Sequence, residues 1–212
     1  MIPNRHEYLK QQAQNGQKIM GVLPALYPKE LIQAFDILPA EIWDPPGEIL
    51  RANSHLQATI CPVVKRSLEF ILKDPEVVNA GYLFPHTCDS LQNLATQVHD
   101  LLNVSAPIYT FYNPKGNYSK ASRAFYGDII GELQRSLENV NGTLKQGKLL
   151  EACTLGREID TRWRALQKAR MSNRLPLSNP EYFQLMRAAE FMLPSDYLKL
   201  LNQIKVKDHD KG

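Results

Sequence analysis

The chain has 212 residues, enough for one sizeable hydrophobic core, with 43% hydrophobic and 22% charged residues and a net charge of +3 from 25 basic and 22 acidic side chains. That balance excludes a disordered, charge-expanded chain, and no apolar run is long enough to span a membrane. The basic residues are scattered, so no electrostatic footprint for nucleic acid is visible.

The N-terminal stretch MIPNRHEYLKQQAQNG is polar and lacks the apolar centre of a signal peptide, which makes the cytoplasm the expected location. KIMGVLP (18–24), bounded by Gly16 and Pro24, reads as a buried strand. YPKELIQAFD follows with Pro28 at a plausible first helical position and Leu31, Ile32 and Phe35 at helical spacing. LPAEIWD (38–44) is a second strand, ended by Pro45, Pro46 and Gly47. CPVVKRSLEFILK (61–73) carries Val64, Leu68, Ile71 and Leu72 on one helical face, so a helix starts at or just after Cys61 and is closed by Asp74-Pro75. GYLFP is the third strand, DSLQNLATQVHDLLN the next helix, and APIYTFYNP (106–114) the fourth strand.

Strands alternating with helices predict an α/β fold: a parallel sheet of about four strands with helices on both faces. From about Asn117 the strand signals stop, and residues 118–140, 144–171, 181–191 and 195–204 all show helical periodicity. The expected organisation is an α/β domain over 1–116 and a helical extension over 117–212 packed on it.

Candidate chemistry sits where strands run into helices, because open parallel sheets bind ligands beyond the carboxyl ends of their strands. Cys88 in GYLFPHTCDS lies at such a junction, with Asp89 or Ser90 placed to cap the following helix. The first turn of a helix favours an anion through its free N–H groups and dipole. Cys61, directly before Pro62, has the same local arrangement. Spacing alone leaves two readings open, inert burial and a metal or catalytic role. Cys153, amid Leu149, Leu150 and Leu155, reads as a small apolar filler. His86 could support a sulfur or a substrate next to Cys88, although a loop histidine is more often solvated, and His55 and His99 have no ligand spacing with the cysteines. The nucleophile elbow GxSxG and the phosphate-binding patterns GxGxxG and GxxxxGK[ST] are absent. Arg157, Arg162, Trp163, Arg164, Lys168 and Arg170 could meet an anionic partner or coenzyme; a solvated helix face with Trp163 partly buried is the simpler reading.

In order, GVLPALYPKELIQAFDILP, ICPVVKRSLEF, YLFPHTCDSLQNL, PIYTFYNP and the helical stretch from REIDTRWRALQKARMSNRLPL onward resemble the N-terminal half of the 2-hydroxyacyl-CoA dehydratase and benzoyl-CoA reductase subunit family. The most specific parts are Cys61 in CPxxK/R and Cys88 in PxTCDS. The resemblance implies an iron-sulfur cluster, of the four-iron four-sulfur type, held by cysteine thiolates that include Cys61 and Cys88. It also implies an acyl-CoA thioester substrate, a paralogous subunit, and an ATP-dependent activator protein that delivers a low-potential electron for radical elimination of water. Family members carry a second similar domain with a third cysteine ligand, and Cys153 does not match that position. The chain is then a fragment, or takes ligands from a partner, or is a non-catalytic interaction or assembly subunit that keeps the fold without a cluster. A related iron-sulfur reductase, such as a benzoyl-CoA reductase subunit, is a further reading.

Overall fold

A computed structural model describes residues 2–43, 45, 47–73, 77–102 and 104–207. Among them the order is α1 (Arg5–Gln14), β1 (Lys18–Val22), α2 (Lys29–Ala34), β2 (Ile37–Glu41), a 3₁₀ turn (Ala52–Ser54), α3 (Pro62–Leu72), β3 (Tyr82–Pro85), α4 (Asp89–Asp100), β4 (Ile108–Phe111), α5 (Lys120–Asn141), α6 (Gln146–Met171), α7 (Asn179–Ala188) and α8 (Pro194–Gln203). The anticipated breakers Pro46, Asp74 and Pro75, the strand end at Asp44 and the helix end at Asn103 lie outside the described residues.

The four strands form one parallel sheet in the order β2-β1-β3-β4, so the α/β expectation holds. Alternation splits each strand between the two faces of the sheet. Met20, Val22, Ile37, Leu83 and Phe111 pack with Leu31 and Ile32 of α2 and Leu133 and Leu137 of α5. On the other face Tyr82 and Phe84 pack with Val64, Leu68 and Ile71 of α3 and Leu91, Leu94 and Val98 of α4. Ile19, Leu38 and Ala40 point to that same side by alternation and join Tyr8 and Leu9 of α1 with Leu166, Leu185 and Leu201 of the C-terminal helices.

Two glycines let the layers close. A Cβ on Gly21 would meet the Tyr82 ring at 2.7 Å, and one on Gly81, whose φ is +98°, would overlap the Pro107 carbonyl oxygen. The polar N-terminal segment, which shows no strong pattern in sequence, is a helix. Asn4 caps it by accepting hydrogen bonds from the backbone of His6 and Glu7, and only Tyr8 and Leu9 are buried. Serines cap two of the C-terminal helices: Ser119 accepts from Ser122, and Ser178 forms a capping box with Glu181.

The order 2-1-3-4 reverses direction at β1. β1 leads into α2 on one face, whereas β3 leads into α4 on the other, and in doubly wound sheets such a switch point marks the carboxyl edge where ligands bind.

Candidate functional site: the carboxyl edge of the sheet

Both sequence-predicted cysteines stand at this edge. Cys61 is the N-cap of α3 and Cys88 the N-cap of α4, each exposed and each with extended backbone ψ, 133° and 164°. The two helices touch and share one core on one sheet face, and both start at the carboxyl end of the sheet. The expected capping by Asp89 or Ser90 is not what forms: Asp89 is already helical, and neither cysteine side chain makes a cap hydrogen bond. Backbone conformation selects the cap position, and here it falls one residue earlier than the side-chain preference suggested. The first turns therefore keep N–H groups that favour negative charge in front of them.

Cys153 corrects the sequence reading. It is exposed, not buried, because the Leu150 side of α6 faces outward. This part of α6 packs at the opposite, amino edge of the sheet. There Lys148 reaches Asp36 at 3.1 Å, and Ala152 and Leu155 lie beside Gln17 and Ile37. His55 is exposed after the 3₁₀ turn, and His99 sits at the far end of α4 against Asp100. Among the described residues no group of three or more His, Cys, Asp or Glu side chains could hold a metal ion.

His86 extends β3 by donating its backbone N–H to the Phe111 carbonyl at 2.7 Å, and its ring stands edge-on to Tyr112 at 5.1 Å. Its Nε2 is buried and has no hydrogen-bond partner among the described residues.

Several supports of this edge were not visible in sequence. The loop after β1 places Ala25 and Leu26 in the left-handed region, φ +77° and +56°, a strain of about 1–3 kcal/mol per residue. The Asn113 amide donates to the Leu26 carbonyl and ties that loop to the one after β4. Glu69, on α3 with a side chain only 5% exposed, accepts from the backbone N–H groups of Leu50, Arg51 and Ala52 at 3.0, 2.8 and 3.0 Å. Burial raises its pKa, but those three donors and Lys73 outweigh it and hold the carboxyl below its ordinary value. The 3₁₀ turn ahead of Cys61 is fixed to α3 in this way. A glutamate beside the apolar face of that helix was the available signal.

A second polar cluster lies beyond β2. The Glu41 carboxylate accepts from the Tyr27 hydroxyl and the Trp43 indole, both at 2.8 Å. Lys29 donates to the Ala189 carbonyl at 2.7 Å and so satisfies the end of α7. Burial, with Glu41 adding to it, raises the Tyr27 pKa, and burial lowers that of Lys29 against the pull of Glu41. Most of the basic and aromatic residues of α6 prove structural. Arg162 donates to the carbonyls of Leu201 and Ile204, Arg164 pairs with Asp160, Arg170 lies 3.9 Å over the Tyr182 ring, and Trp163 stacks on that ring at 5.3 Å.

These features define a doubly wound α/β protein whose carboxyl edge carries two free thiols, each at the start of one of two touching helices. The family described as "2-hydroxyglutaryl-CoA dehydratase, D-component" matches residues 24–211, and the chain belongs to that family. It is 25% identical over 195 residues to the beta subunit of the (R)-2-hydroxyglutaryl-CoA dehydratase of Acidaminococcus fermentans, covering 89% of this chain and 50% of that protein. It is also 25% identical over 156 residues to the (R)-phenyllactyl-CoA dehydratase beta subunit of Clostridium sporogenes (71% of this chain, 40% of that protein). A third relative, one of the benzoyl-CoA reductase subunits of Thauera aromatica, is 25% identical over 133 residues, 62% of this chain and 34% of that protein. The chain spans at most about half the length of these relatives. Among the described residues no helix is long and apolar enough to cross a membrane.

Proposed function

We propose that the chain is the cysteine-bearing half of a 2-hydroxyacyl-CoA dehydratase-type subunit, with Cys61 and Cys88 as two thiolate ligands of an iron-sulfur cluster of the four-iron four-sulfur type. The observation that carries this reading is the pair of exposed thiols at the starts of two touching helices, within a chain that matches the family over 24–211. Two thiolates suit such a cluster in donor chemistry, and the remaining ligands come from outside the described residues. When bound, the cluster would supply one-electron transfer to an acyl-CoA thioester during removal of water. The chain's own residues do simpler work. The N-termini of α3 and α4 stabilise negative charge in front of them, and Glu69 fixes the turn leading to Cys61. A paralogous subunit and an ATP-dependent activator protein complete the proposed assembly. The match to a benzoyl-CoA reductase subunit favours, as second reading, a reductase working on an aryl thioester.

The test is anaerobic purification and reconstitution with iron and sulfide of the wild-type chain and three variants. Cys61→Ala and Cys88→Ala should each lose cluster absorbance and iron, while Cys153→Ala keeps both. Iron-free wild-type protein after reconstitution, or iron retained in both of the first two variants, refutes the assignment.

A further inference from the structure

Four thiolates commonly hold a four-iron four-sulfur cluster. The chain has three cysteines, and Cys153 stands at the opposite edge of the sheet from Cys61 and Cys88. Among the described residues no further His, Cys, Asp or Glu joins the pair in a group of three. The chain itself therefore brings two of the four sulfurs to its carboxyl edge.

The same edge carries apolar side chains that the fold does not cover. β3 is followed by Cys88, and each of the other three strands is followed, before the next helix, by a large side chain left in solvent. These are Leu26 after β1, Trp43 after β2 and Tyr118 after β4, which are 67, 37 and 80% exposed. Trp43 also lines an open groove of about 510 Å³ with Met186 of α7 and with Pro62 and Val63, the first residues of α3 after Cys61. Leu26 is held in the left-handed region at φ +56°, where glycine or asparagine would sit with less strain. Its side chain joins none of the three apolar cores, so neither backbone conformation nor burial accounts for a leucine there. Apolar side chains kept exposed around one edge mark a surface that another molecule covers.

We propose that a second copy of this chain covers that edge, so that Cys61 and Cys88 of both copies hold one cluster between them. The inference rests on the cluster reading above and names the partner that completes its ligand set. A second copy brings the two absent sulfurs in the same helix-start setting. It also meets the apolar rim with an identical one, the self-complementary contact that a two-fold dimer requires. Four helix starts, those of α3 and α4 in each copy, then stabilise the negative charge of the thiolates. Each thiol loses its proton to solvent as its sulfur bonds iron, and equal parts of ferrous and ferric iron with sulfide make up the resting cluster core without an outside oxidant or reductant.

The test is anaerobic reconstitution of the full wild-type chain with ferrous and ferric iron in equal amounts and sulfide, followed by light scattering on a gel-filtration column and by iron analysis of the same peak. The expected product has twice the mass of one chain and about two iron atoms per chain, one cluster for each pair. Its dissociation constant should be at least about tenfold lower than that of the metal-free chain in chelator. Leu26→Asp keeps every cysteine and suits the left-handed backbone, so the metal-free variant should melt no lower than wild type. By placing a charge in the apolar rim it should weaken the iron-loaded dimer at least about tenfold. A monomer carrying about four iron atoms overturns the shared site and leaves the cluster reading standing. Iron-free protein after reconstitution overturns both. A dimer that dissociates alike with and without iron overturns the bridging role of the cysteines, and a folded Leu26→Asp variant that dimerises as wild type overturns the apolar rim as the contact.

Discussion

Glu69 offers a direct measure of how firmly the turn before Cys61 is held. Its Oε2 accepts three backbone N–H groups, and its side chain is nearly out of solvent. In Glu69→Ala, Leu50 and Arg51 are exposed and can turn their N–H groups to water, but Ala52 is 0% exposed and cannot. One buried donor left without a partner costs about 1–3 kcal/mol, and loss of charge-assisted bonds to the other two adds to it, so the expected destabilisation is about 3 kcal/mol. Glu69→Gln keeps an acceptor oxygen but loses the charge, for about 1–2 kcal/mol. The pH dependence separates charge from packing. The folded carboxyl sits below its ordinary value of 4.5, so its contribution is present above that value and disappears as pH falls through the folded pKa. Urea unfolding of wild type and Glu69→Gln should show a constant gap at neutral pH that narrows as pH falls below the ordinary carboxylate range. A gap below about 0.5 kcal/mol at neutral pH, or one that stays the same size in acid below the ordinary carboxylate range, refutes the reasoning.

Two further substitutions probe the scaffold. Gly81→Ala combines a left-handed φ of +98° with a Cβ that would overlap a backbone oxygen, and should cost about 3 kcal/mol in thermal unfolding. Ser178→Ala removes the capping box of α7 and should cost about 1 kcal/mol, seen as a lower melting temperature with no change in the iron content of reconstituted protein.

The parts of the fold that sequence revealed are those where local pattern and tertiary role agree. The apolar runs at 18–24, 38–44, 81–85 and 106–114 became four parallel strands; β1, β2 and β3 are buried almost throughout, which needs an unbroken apolar run, while β4 at the edge exposes Thr110. The junction position of both cysteines was equally legible, since a breaker followed by helical spacing marks it. What escaped notice depends on contacts made by the folded chain. α1 buries only two residues and draws its stability from its cap and its neighbours, so periodicity could not reveal it. The strained loop at Ala25 and Leu26 contains no glycine or asparagine to announce positive φ. Cys153 misled because three leucines nearby suggested a buried face, and Leu150 is in fact 65% exposed.

The two cysteines also carry a thermodynamic signature that can be tested without any metal. Three other helices have good caps, Asn4 at α1, Ser119 at α5 and Ser178 at α7, which accept backbone hydrogen bonds, whereas Pro28, Lys145 and Leu193 at α2, α6 and α8 make none. At α3 and α4 it places sulfur, a weak acceptor, on extended cap backbone and leaves both thiols exposed, so neither a cap bond nor burial accounts for the choice. Serine at either position restores an acceptor where the first-turn N–H groups need one. Cys61→Ser and Cys88→Ser should therefore each stabilise the metal-free chain by up to about 1 kcal/mol, while Cys153→Ser, on the exposed side of α6, stays within about 0.5 kcal/mol of wild type. Thermal melts of the three variants in chelator make the comparison. Destabilisation by the first two would mean that the thiols serve packing after all. A gain in stability would mean that α3 and α4 forgo better caps to keep sulfur at the sheet's edge, as expected of side chains kept for binding and not for folding.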